Sequence, residues 1–329
     1  MRQIEVGMDG KMINPEIMDQ IVEPDRAYYR TRENEDLTYG DRTLPSIEKG
    51  IDMIEQLVLS DEPFMVARLG ETEQRVVAYG VSHEFPVLNP LKQRHILNHE
   101  CANWCEGAGF FPRRVNLMPR FTELYLEAFR KVDVLAVWEL KYEQFFLQEY
   151  MPEAKICRSR ALAVVECEKV WTRALRGKKV LVISPFAKSI EAQYKHREHL
   201  HRNLELLPEF ELKTIKAVQS PILSGRRSEF HNWFQALDWM YNETLKIDYD
   251  VALLGCGAYA FPLAAKIKES GHGAITTCGG TQLIFGIMGK RWDTPEYRTS
   301  LGMNQYWVYP SEEETPRKRK AVENGCYWR

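Results

Sequence analysis

In Phe64-Met-Val-Ala-Arg-Leu-Gly-Glu-Thr-Glu73, a short apolar run leads directly into an arginine, a glycine and two carboxylates, and this pattern indicates the class of fold. The apolar run from Phe64 to Ala67 predicts a short buried strand. In α/β proteins, ligands bind in the crevice beyond the carboxyl ends of such strands. We therefore expect the residues that follow, Arg68 to Glu73, to contribute to a binding site.

Glu71 and Glu73 allow two interpretations. Two oxygen ligands one residue apart can hold a hard divalent cation while a nucleotide diphosphate completes its coordination. Residues i and i+2 share a face only in an extended chain, so both carboxylates face one ion only if the next helix starts at or after Glu73. Alternatively, both acids are first-turn residues that favour the helix dipole.

The second half of the chain predicts an α/β fold, because buried strands and helices alternate regularly from Lys178 onward. Such alternation implies parallel strands with helices on both faces of the sheet. The predicted strands are Phe64–Ala67, Val132–Trp138, Lys155–Cys157, Lys179–Ser184, Phe210–Val218, Asp250–Leu254 and Gly273–Thr277. The predicted helices run from a cap at Ser46 to about Val58, over Glu73–Tyr79, mainly over residues 90–130, and over residues 140–150, Ala163–Leu175, Ser189–Asn203, Glu229–Leu245 and Phe261–Glu269.

These elements predict one Rossmann-like α/β domain with a mainly parallel sheet, helices on both faces and a helical N-terminal region. Residues 1–44 are polar and rich in charge, and we expect them to form a partly irregular arm. Residues 45–329 would form the domain, with a tail from about Arg291 that wraps around it. Asn304 and Trp307 in this tail are expected to fold back on the site.

The turn Ser184-Pro-Phe-Ala-Lys-Ser-Ile190 follows a predicted strand and resembles an anion site. It places Lys188 at the start of a helix, where free backbone N–H groups and the helix dipole favour phosphate. Gln193 and Arg197 then share one face of this helix. Ordinary capping followed by a solvated basic helix is the alternative.

The turn Leu254-Gly-Cys-Gly-Ala-Tyr-Ala-Phe-Pro262 contains Gly255 and Gly257, which resemble the first two glycines of a dinucleotide loop. Ala260 can take the place of the third glycine. No acid stands at the end of the next strand, Ala274–Cys278, where a carboxylate would bind ribose. NAD binding is therefore disfavoured, although the small residues would still let a nucleotide approach the backbone closely.

A third turn follows the last predicted strand and runs from Cys278 to Trp292. Gly279 and Gly280 close the strand, and Thr281 can cap a short helix. Lys290 and Arg291 then supply positive charge. Trp292 is either a stacking plane for a ligand or a packing anchor for the tail.

The sequence around Arg68 also resembles a known motif. Arg68-x-Gly70-Glu71-x-Glu73 is similar to the Arg-x-Gly-Asp-x-Glu signature of the GT-D-fold glycosyltransferases, a group of bacterial enzymes. Glu71 stands where that family usually has Asp, and Glu73 matches its Glu. The resemblance to members linked to surface polysaccharides spans most of residues 60–329. It is carried by residues 177–186, 254–259, 285–292 and 325–328.

This resemblance implies a glycosyltransferase of the hexosyltransferase type, which moves a sugar from a UDP-sugar donor to a glycan acceptor in surface polysaccharide or glycoprotein glycan synthesis. It implies that Glu71 and Glu73 hold Mn²⁺ or Mg²⁺ and take part in catalysis. Glu73 is the candidate general base where the metal does not occupy it, and Glu139 is a second candidate. The residues expected to contact the donor are Arg68, Gly70, Ser184, Lys188, Gly255, Gly257, Gly279, Gly280 and Arg291.

Composition argues against other classes of protein. The net charge of −2 lacks the basic excess of a nucleic-acid binder. No run reaches the roughly 18 apolar residues of a transmembrane helix. Seven cysteines without a Cys/His cluster or a secretion signal predict free thiols in a reducing cytoplasm, not a zinc site. The sequence is compatible with a homo-oligomer.

A second interpretation stays open on the sequence alone. The chain could be a non-catalytic nucleotide-binding or regulatory protein of a polysaccharide locus, with Glu71 and Glu73 as helix-terminal acids. The two interpretations differ in geometry. Convergence of Glu71, Lys188, Gly255 and Gly279 on one cleft would favour catalysis, whereas scattered positions would favour the second interpretation.

Overall fold

The computed structural model describes residue 13 and residues 15–82, 100–220 and 229–329. Residues 1–12 of the arm and the predicted helical residues 90–99 lie outside this part. The strands within it are β1 (Leu37–Tyr39), β2 (Arg42–Leu44), β3 (Met65–Ala67), β4 (Val134–Val137), β5 (Lys155–Arg158), β6 (Lys179–Ser184), β7 (Glu211–Lys216), β8 (Val251–Leu254) and β9 (Gly273–Ile275). The first two form an antiparallel hairpin, and the other seven form one parallel sheet in the order β5-β4-β3-β9-β8-β6-β7. The predicted parallel α/β architecture is confirmed.

Helices connect these strands. They are α1 (Pro15–Gln20), α2 (Arg26–Arg30), α3 (Ile47–Leu59), α4 (Glu71–Ser82), α5 (Glu100–Gly107), α6 (Met118–Phe129), α7 (Glu143–Tyr150), α8 (Ser159–Leu162), α9 (Ala187–Tyr194), α10 (Arg197–Leu200), α11 (Trp233–Thr244), α12 (Ala260–Glu269), α13 (Gly280–Ile284) and α14 (Pro295–Ser300). The helix predicted over Ser189–Asn203 is thus split into α9 and α10. Across the described ranges, none of these helices combines the length and the apolar character that a membrane span needs.

The sheet is covered on both faces because successive residues of a strand point to opposite sides. In β3, Met65 and Ala67 belong to one apolar core and Val66 to the other. Helices α4, α6, α11 and α12 contribute to the first core, and α3 and α9 to the second. The fully buried strands β4 and β8 are typical of a parallel sheet between two helical layers.

The helix predicted over Ala163–Leu175 is wrong. The chain forms α8 and then two short 3₁₀ turns in this region. Trp171 explains the break, because its ring is fully buried and its indole N–H donates to the Leu162 carbonyl at 3.0 Å. The free energy gained by burying this ring exceeds the free energy of continuing the helix, because a β-branched residue such as Val164 has a low helix propensity.

The N-terminal arm is held to the domain by Arg158 at the end of β5. Its guanidinium donates to four backbone carbonyls at 2.9–3.1 Å, which belong to Tyr29, Arg32, Glu35 and Pro45. One buried cation therefore fixes the segment that the sequence predicts to be irregular. The hairpin of β1 and β2 adds Tyr39 and Leu44 to the core.

Candidate functional site

A cleft opens at the carboxyl ends of the parallel strands. The chain steps from β3 through β4 to β5 toward one edge of the sheet, and from β6 to β7 toward the other, before β8 and β9 return to the middle. Diverging connections of this kind leave a crevice where α/β proteins bind ligands. The cleft has a volume of about 630 Å³, within the range of small-molecule sites.

Most of the residues that the sequence assigned to the site meet in this cleft. Ser184 is buried at the end of β6, and its hydroxyl accepts the backbone N–H of Phe186 at 3.2 Å. Of the residues expected to bind the donor or the metal, Lys188 and Gly280 do not line the cleft. The assigned residues that do line it are Arg68, Gly70, Glu71, Glu73, Ser184, Gly255, Gly257, Gly279 and Arg291.

Helix α4 begins at Glu71, earlier than the sequence predicts. Glu71 and Glu73 therefore both lie in its first turn, where residues i and i+2 point roughly 200° apart around the helix axis. Both belong to the cleft wall, but Glu71 is exposed and Glu73 is half-buried. The two carboxylates could face one ion only if the helix started at or after Glu73, and the helix starts earlier.

Gly70 determines where the Glu73 carboxylate can lie. A Cβ at position 70 would collide with both oxygens of that carboxylate and displace it. Burial raises the pKa of Glu73, whereas its own backbone N–H and the Arg68 guanidinium act in the opposite direction. A partly desolvated carboxylate with a raised pKa is suited to act as a general base near neutral pH.

Arg68 follows β3 directly and brings a cation into the cleft. Its backbone N–H donates to the Thr276 hydroxyl at 2.9 Å, which ties the end of β3 to the end of β9. Its guanidinium lies 4.0 Å from the centroid of the Trp138 ring. Its buried Nε has no hydrogen-bond partner within the described ranges. Because stacking uses the face of a guanidinium and not its N–H groups, this donor is available to an anionic ligand.

The cleft supplies only some of the ligands that a divalent cation needs. Within the residues that the structure describes, no group of three His, Cys, Asp or Glu side chains is arranged to hold a metal ion. Mg²⁺ is commonly held by one or two carboxylates together with substrate phosphates and water. Glu71 or Glu73, taken singly, fits such a set. The two together do not, because they diverge around the helix axis.

Gly255 allows the end of β8 to pack directly on the start of α13. A Cβ on Gly255 would lie 2.8 Å from the Thr281 Cβ and 3.1 Å from the Cys278 carbonyl oxygen. Thr281 is the second residue of α13, and its hydroxyl is hydrogen-bonded to that of Thr277 at 2.6 Å. The prediction that Thr281 caps this helix is therefore wrong.

The other glycines of these turns differ in their relation to the cleft. Gly257 has a φ of +61°, which glycine adopts without strain. Gly279 leaves room for the Trp292 ring, which would lie 3.1 Å from a Cβ at that position. Gly280 is the first residue of α13 and lies outside the cleft wall. Trp292 is buried against Gly279, which agrees with a packing role.

Lys188 lies outside the cleft. The sequence suggested a bound phosphate at this helix terminus, whereas in the structure the anions there are carboxylates of the chain itself. The Lys188 ammonium pairs with the exposed Glu313. The buried Glu314 carboxylate accepts the backbone N–H groups of Lys188 and Ser189 at 2.7 and 3.2 Å. The hydroxyls of Ser189 and Ser311 also donate to it. The C-terminal tail thus fills the N-terminus of α9, and this geometry gives no support to a phosphate site at Lys188.

Two parts of the tail take different positions. Asn304 and Trp307 donate to the carbonyls of His199 and Leu200 at 2.9 and 2.8 Å, so the middle of the tail packs on α10 and not on the cleft. The last residues do reach the cleft, and one of them, Glu323, pairs with Arg291. The tail residues in the cleft wall are Val322, Glu323, Tyr327 and Trp328.

Three further cleft residues were not predicted from the sequence. Trp138 stacks on Arg68. The Tyr259 hydroxyl and the Gln282 side-chain oxygen are buried without a hydrogen-bond partner in the described part of the chain. Because such atoms cost about 1–3 kcal/mol each, they are candidate ligand contacts. Trp138 directly follows β4, and Tyr259 follows Gly257 closely. Their closeness to strand ends is therefore the feature of the sequence that could have identified them as cleft residues.

Glu139, the second candidate base, faces away from the cleft. It is 3% exposed, and its carboxylate lies 3.6 Å from Arg30 of the arm. Burial raises the pKa of Glu139, and the neighbouring arginines, Arg30 first, oppose that rise. Glu139 does not line the cleft, so it contacts the arm and not a ligand there.

A second, smaller cavity of about 220 Å³ adjoins the cleft. Glu71 and Arg75, which lie one turn apart on α4, belong to the walls of both. The remaining walls are polar and come from the arm, from α4 and from the segment after β4. They are Glu23, Arg26, Gln74, Lys141 and Tyr142. A polar cavity next to the cleft provides room for a second, hydrophilic ligand.

Comparison with known proteins finds only distant structural likenesses. No protein-family model and no curated protein matches the chain. One similar solved structure is described as a highly conserved domain of unknown function 1792 with a distinct glycosyltransferase fold. It has 12% identity, a TM-score of 0.39, and coverage of 77% of this chain and 82% of that one. A selenomethionine-substituted structure of domain of unknown function 1792 has 12% identity, a TM-score of 0.36, and coverage of 84% and 94%. Likeness at this level does not assign the chain to a family.

Proposed function

We propose that the protein is a glycosyltransferase that moves a sugar from a UDP-sugar to a glycan acceptor. The observation that carries the proposal is the convergence of two cations, Arg68 and Arg291, and the half-buried carboxylate of Glu73 in one cleft at the carboxyl ends of the strands. Sugar transfer from a diphosphate has two requirements. The charge on the leaving group must be stabilised, and the acceptor hydroxyl must lose its proton.

In this proposal, the donor diphosphate binds against Arg68 and Arg291. Arg68 offers a buried N–H group without a partner, and guanidinium groups bind phosphate oxygens through short, charge-assisted hydrogen bonds. Gly257 allows the ligand to approach the backbone closely, because a Cβ at this position would meet no other atom within 4 Å. The Trp138 ring provides a plane on which a base or a sugar can stack. The choice of uridine follows the sequence resemblance.

Glu73 is the general base in this proposal. Its carboxylate accepts the proton of the acceptor hydroxyl, and the freed oxygen bonds to the anomeric carbon. The bond from that carbon to the diphosphate oxygen breaks, and the electron pair leaves with the diphosphate. Arg68 and Arg291 stabilise the charge that develops there. The direction of the shift agrees with this role, because a raised pKa makes the Glu73 carboxylate a stronger base.

The two carboxylates take different roles in this scheme. A divalent cation, Mn²⁺ or Mg²⁺, would add positive charge beside the diphosphate when bound. Glu71 is the better candidate to hold it, since it is exposed and such ions keep several of their waters. Glu73 then remains free to accept a proton. The divergence of the two side chains, which argues against a shared ion, favours this division.

The acceptor is placed in the smaller cavity. This cavity meets the cleft at Glu71 and Arg75, so an acceptor hydroxyl could reach the donor from that side. Its walls offer both hydrogen-bond donors and acceptors, with Tyr142 as an aromatic plane, as a carbohydrate requires. A glycan of surface polysaccharide or glycoprotein is the acceptor that the sequence resemblance suggests.

A turnover assay tests the proposal. UDP release is measured from a panel of UDP-sugars with Mn²⁺, alone and with an oligosaccharide acceptor panel. We expect release from at least one donor, and a loss of at least tenfold in Glu73→Gln. Glu127→Gln, an exposed acid of α6 outside the cleft, is the matched control and should keep full activity. Binding of UDP without turnover of any donor would instead favour a nucleotide-binding protein that does not catalyse transfer.

A further inference from the structure

Residues 322–328 form a strap along one side of the cleft. Backbone hydrogen bonds hold it beside the turn that carries Arg291. The N–H of Lys290 donates to the Trp328 carbonyl at 2.8 Å, and the N–H of Arg291 donates to the Cys326 carbonyl at 3.0 Å. The Trp328 indole N–H donates to the Glu314 carbonyl at 2.9 Å. These contacts bring the Glu323 carboxylate to the Arg291 guanidinium.

The pair of Arg291 and Glu323 is accessible to a ligand. Both side chains line the cleft, and they are 41% and 49% exposed. An ion pair this exposed contributes little to stability, because water screens it. Arg291 also lies 5.1 Å from the centroid of the Tyr327 ring, which keeps the guanidinium at the cleft wall. An incoming anion can therefore replace Glu323 at Arg291, and the one further side-chain contact at stake is the weak hydrogen bond that the Cys326 thiol donates to the Glu323 carboxylate at 3.2 Å.

The backbone of the strap is strained where Glu323 meets the cleft. Glu323, Asn324 and Gly325 have φ values of +42°, +54° and +78°, three left-handed residues in succession. Only the glycine adopts this conformation freely. Strained residues of this kind concentrate at ligand clamps and switches. Release of Glu323 from Arg291 would allow this turn to relax.

A second pair in the same tail lacks these features. Glu313 pairs with Lys188 on the protein surface, and neither residue lines the cleft. The tail thus supplies carboxylates to two cations that the sequence marked as anion sites. One pair lies outside the cleft, and the other lies in its wall.

We infer that Glu323 is an internal competitor for the anionic ligand. In the free protein it occupies the cation that a nucleoside diphosphate needs, and binding exchanges the carboxylate for the diphosphate at Arg291. This inference rests on the proposed function, because it assigns a regulatory contact to the same site. The strap then acts as a gate, since Glu323 must move away from Arg291 when the ligand enters.

Calorimetric titration of UDP and of inorganic pyrophosphate tests the inference. Glu323→Gln removes the charge and keeps the shape of the side chain. It should bind both anions about two- to fivefold more tightly than wild type, as expected from the loss of a half-exposed pair. The gain should shrink at high salt. Glu313→Gln should bind as wild type does. In an Arg291→Ala background, Glu323→Gln should give no gain, since the two side chains act as a pair.

The outcomes separate the two proposals. If wild type binds UDP and Glu323→Gln binds it no more tightly, the inference is overturned while the proposed function stands. If UDP and UDP-sugars fail to bind but pyrophosphate binds more tightly to Glu323→Gln, the gate stands and the proposed function fails. If Glu323→Gln binds neither anion, both are wrong.

Discussion

Replacing Glu314 with alanine should destabilise the fold by about 2–4 kcal/mol without changing nucleotide affinity. Glu314 is 1% exposed, and its carboxylate accepts the N–H groups of Lys188 and Ser189 and the hydroxyls of Ser189 and Ser311. Loss of a helix N-cap costs about 0.5–2 kcal/mol. A hydrogen bond to a charged group contributes about 1.5–3 kcal/mol, and alanine leaves several donors unpaired. Together these terms set the expected range.

The assay is thermal and urea unfolding of purified wild type and variant. For 329 residues, an unfolding entropy of about 2.1 cal/mol/K per residue gives roughly 0.7 kcal/mol/K. The expected loss then corresponds to a decrease in Tm of about 3–6 °C. Glu313→Ala is the matched control, because its carboxylate pairs with Lys188 in solvent, where water screens the pair, and its loss should lower the Tm far less than the loss of Glu314.

Two results would contradict a capping role for Glu314. Equal destabilisation by the two variants would show that the buried cap contributes no more than the surface pair. A Glu314→Ala protein of unchanged Tm but altered UDP affinity would return the N-terminus of α9 to the ligand site. Either result would also undo the conclusion that the tail, and not a phosphate, fills this position.

Lys188→Ala should leave UDP affinity within about twofold of wild type, because Lys188 is paired with Glu313 outside the cleft; calorimetry would contradict this if affinity fell tenfold. Gly70→Ala should keep the fold by circular dichroism but lower turnover at least tenfold, since the added Cβ displaces the Glu73 carboxylate. The pKa of Glu73 is raised in the folded state, so its contribution to stability is complete below the unfolded pKa and is lost as pH rises through the folded pKa. Glu73→Gln has no titrating carboxyl at this position and does not lose stability in this way. In urea unfolding, its free energy of unfolding relative to that of wild type should therefore be greater at pH 8 than at pH 4. The reverse order would disprove the raised pKa of Glu73.

Strand patterns predicted the fold well because the strands of a doubly covered parallel sheet are apolar throughout. β4, β6 and β8 are buried along nearly their whole length, and each appears in the sequence as a short apolar run. Helix boundaries were predicted less well. Trp171 broke a predicted helix by packing into the core, a tertiary contact that periodicity does not contain.

The candidate site likewise contains residues that the sequence could identify and residues that only the folded chain brings together. The positions of Arg68, Gly255 and Gly279 in the cleft wall could be predicted from the sequence, because residues that follow parallel strands, directly or within a few positions, lie at one edge of the sheet. Lys188 was misplaced since the anion at its helix is Glu314, 126 positions further along the chain. Glu323 escaped prediction for the same reason, because only the folded tail brings it to Arg291.

We expect a nucleoside diphosphate to bind in the cleft beside Arg68, and calorimetric titration of UDP with Mn²⁺ is the decisive measurement. Arg68→Ala is compared with Arg120→Ala, which also removes an arginine stacked on an aromatic ring, Phe234, but lies outside the cleft. Loss of a charge-assisted hydrogen bond of about 1.5–3 kcal/mol predicts roughly 10- to 150-fold weaker binding by Arg68→Ala and unchanged binding by Arg120→Ala. Absence of UDP binding to wild type, or equal affinity in Arg68→Ala, would contradict the account.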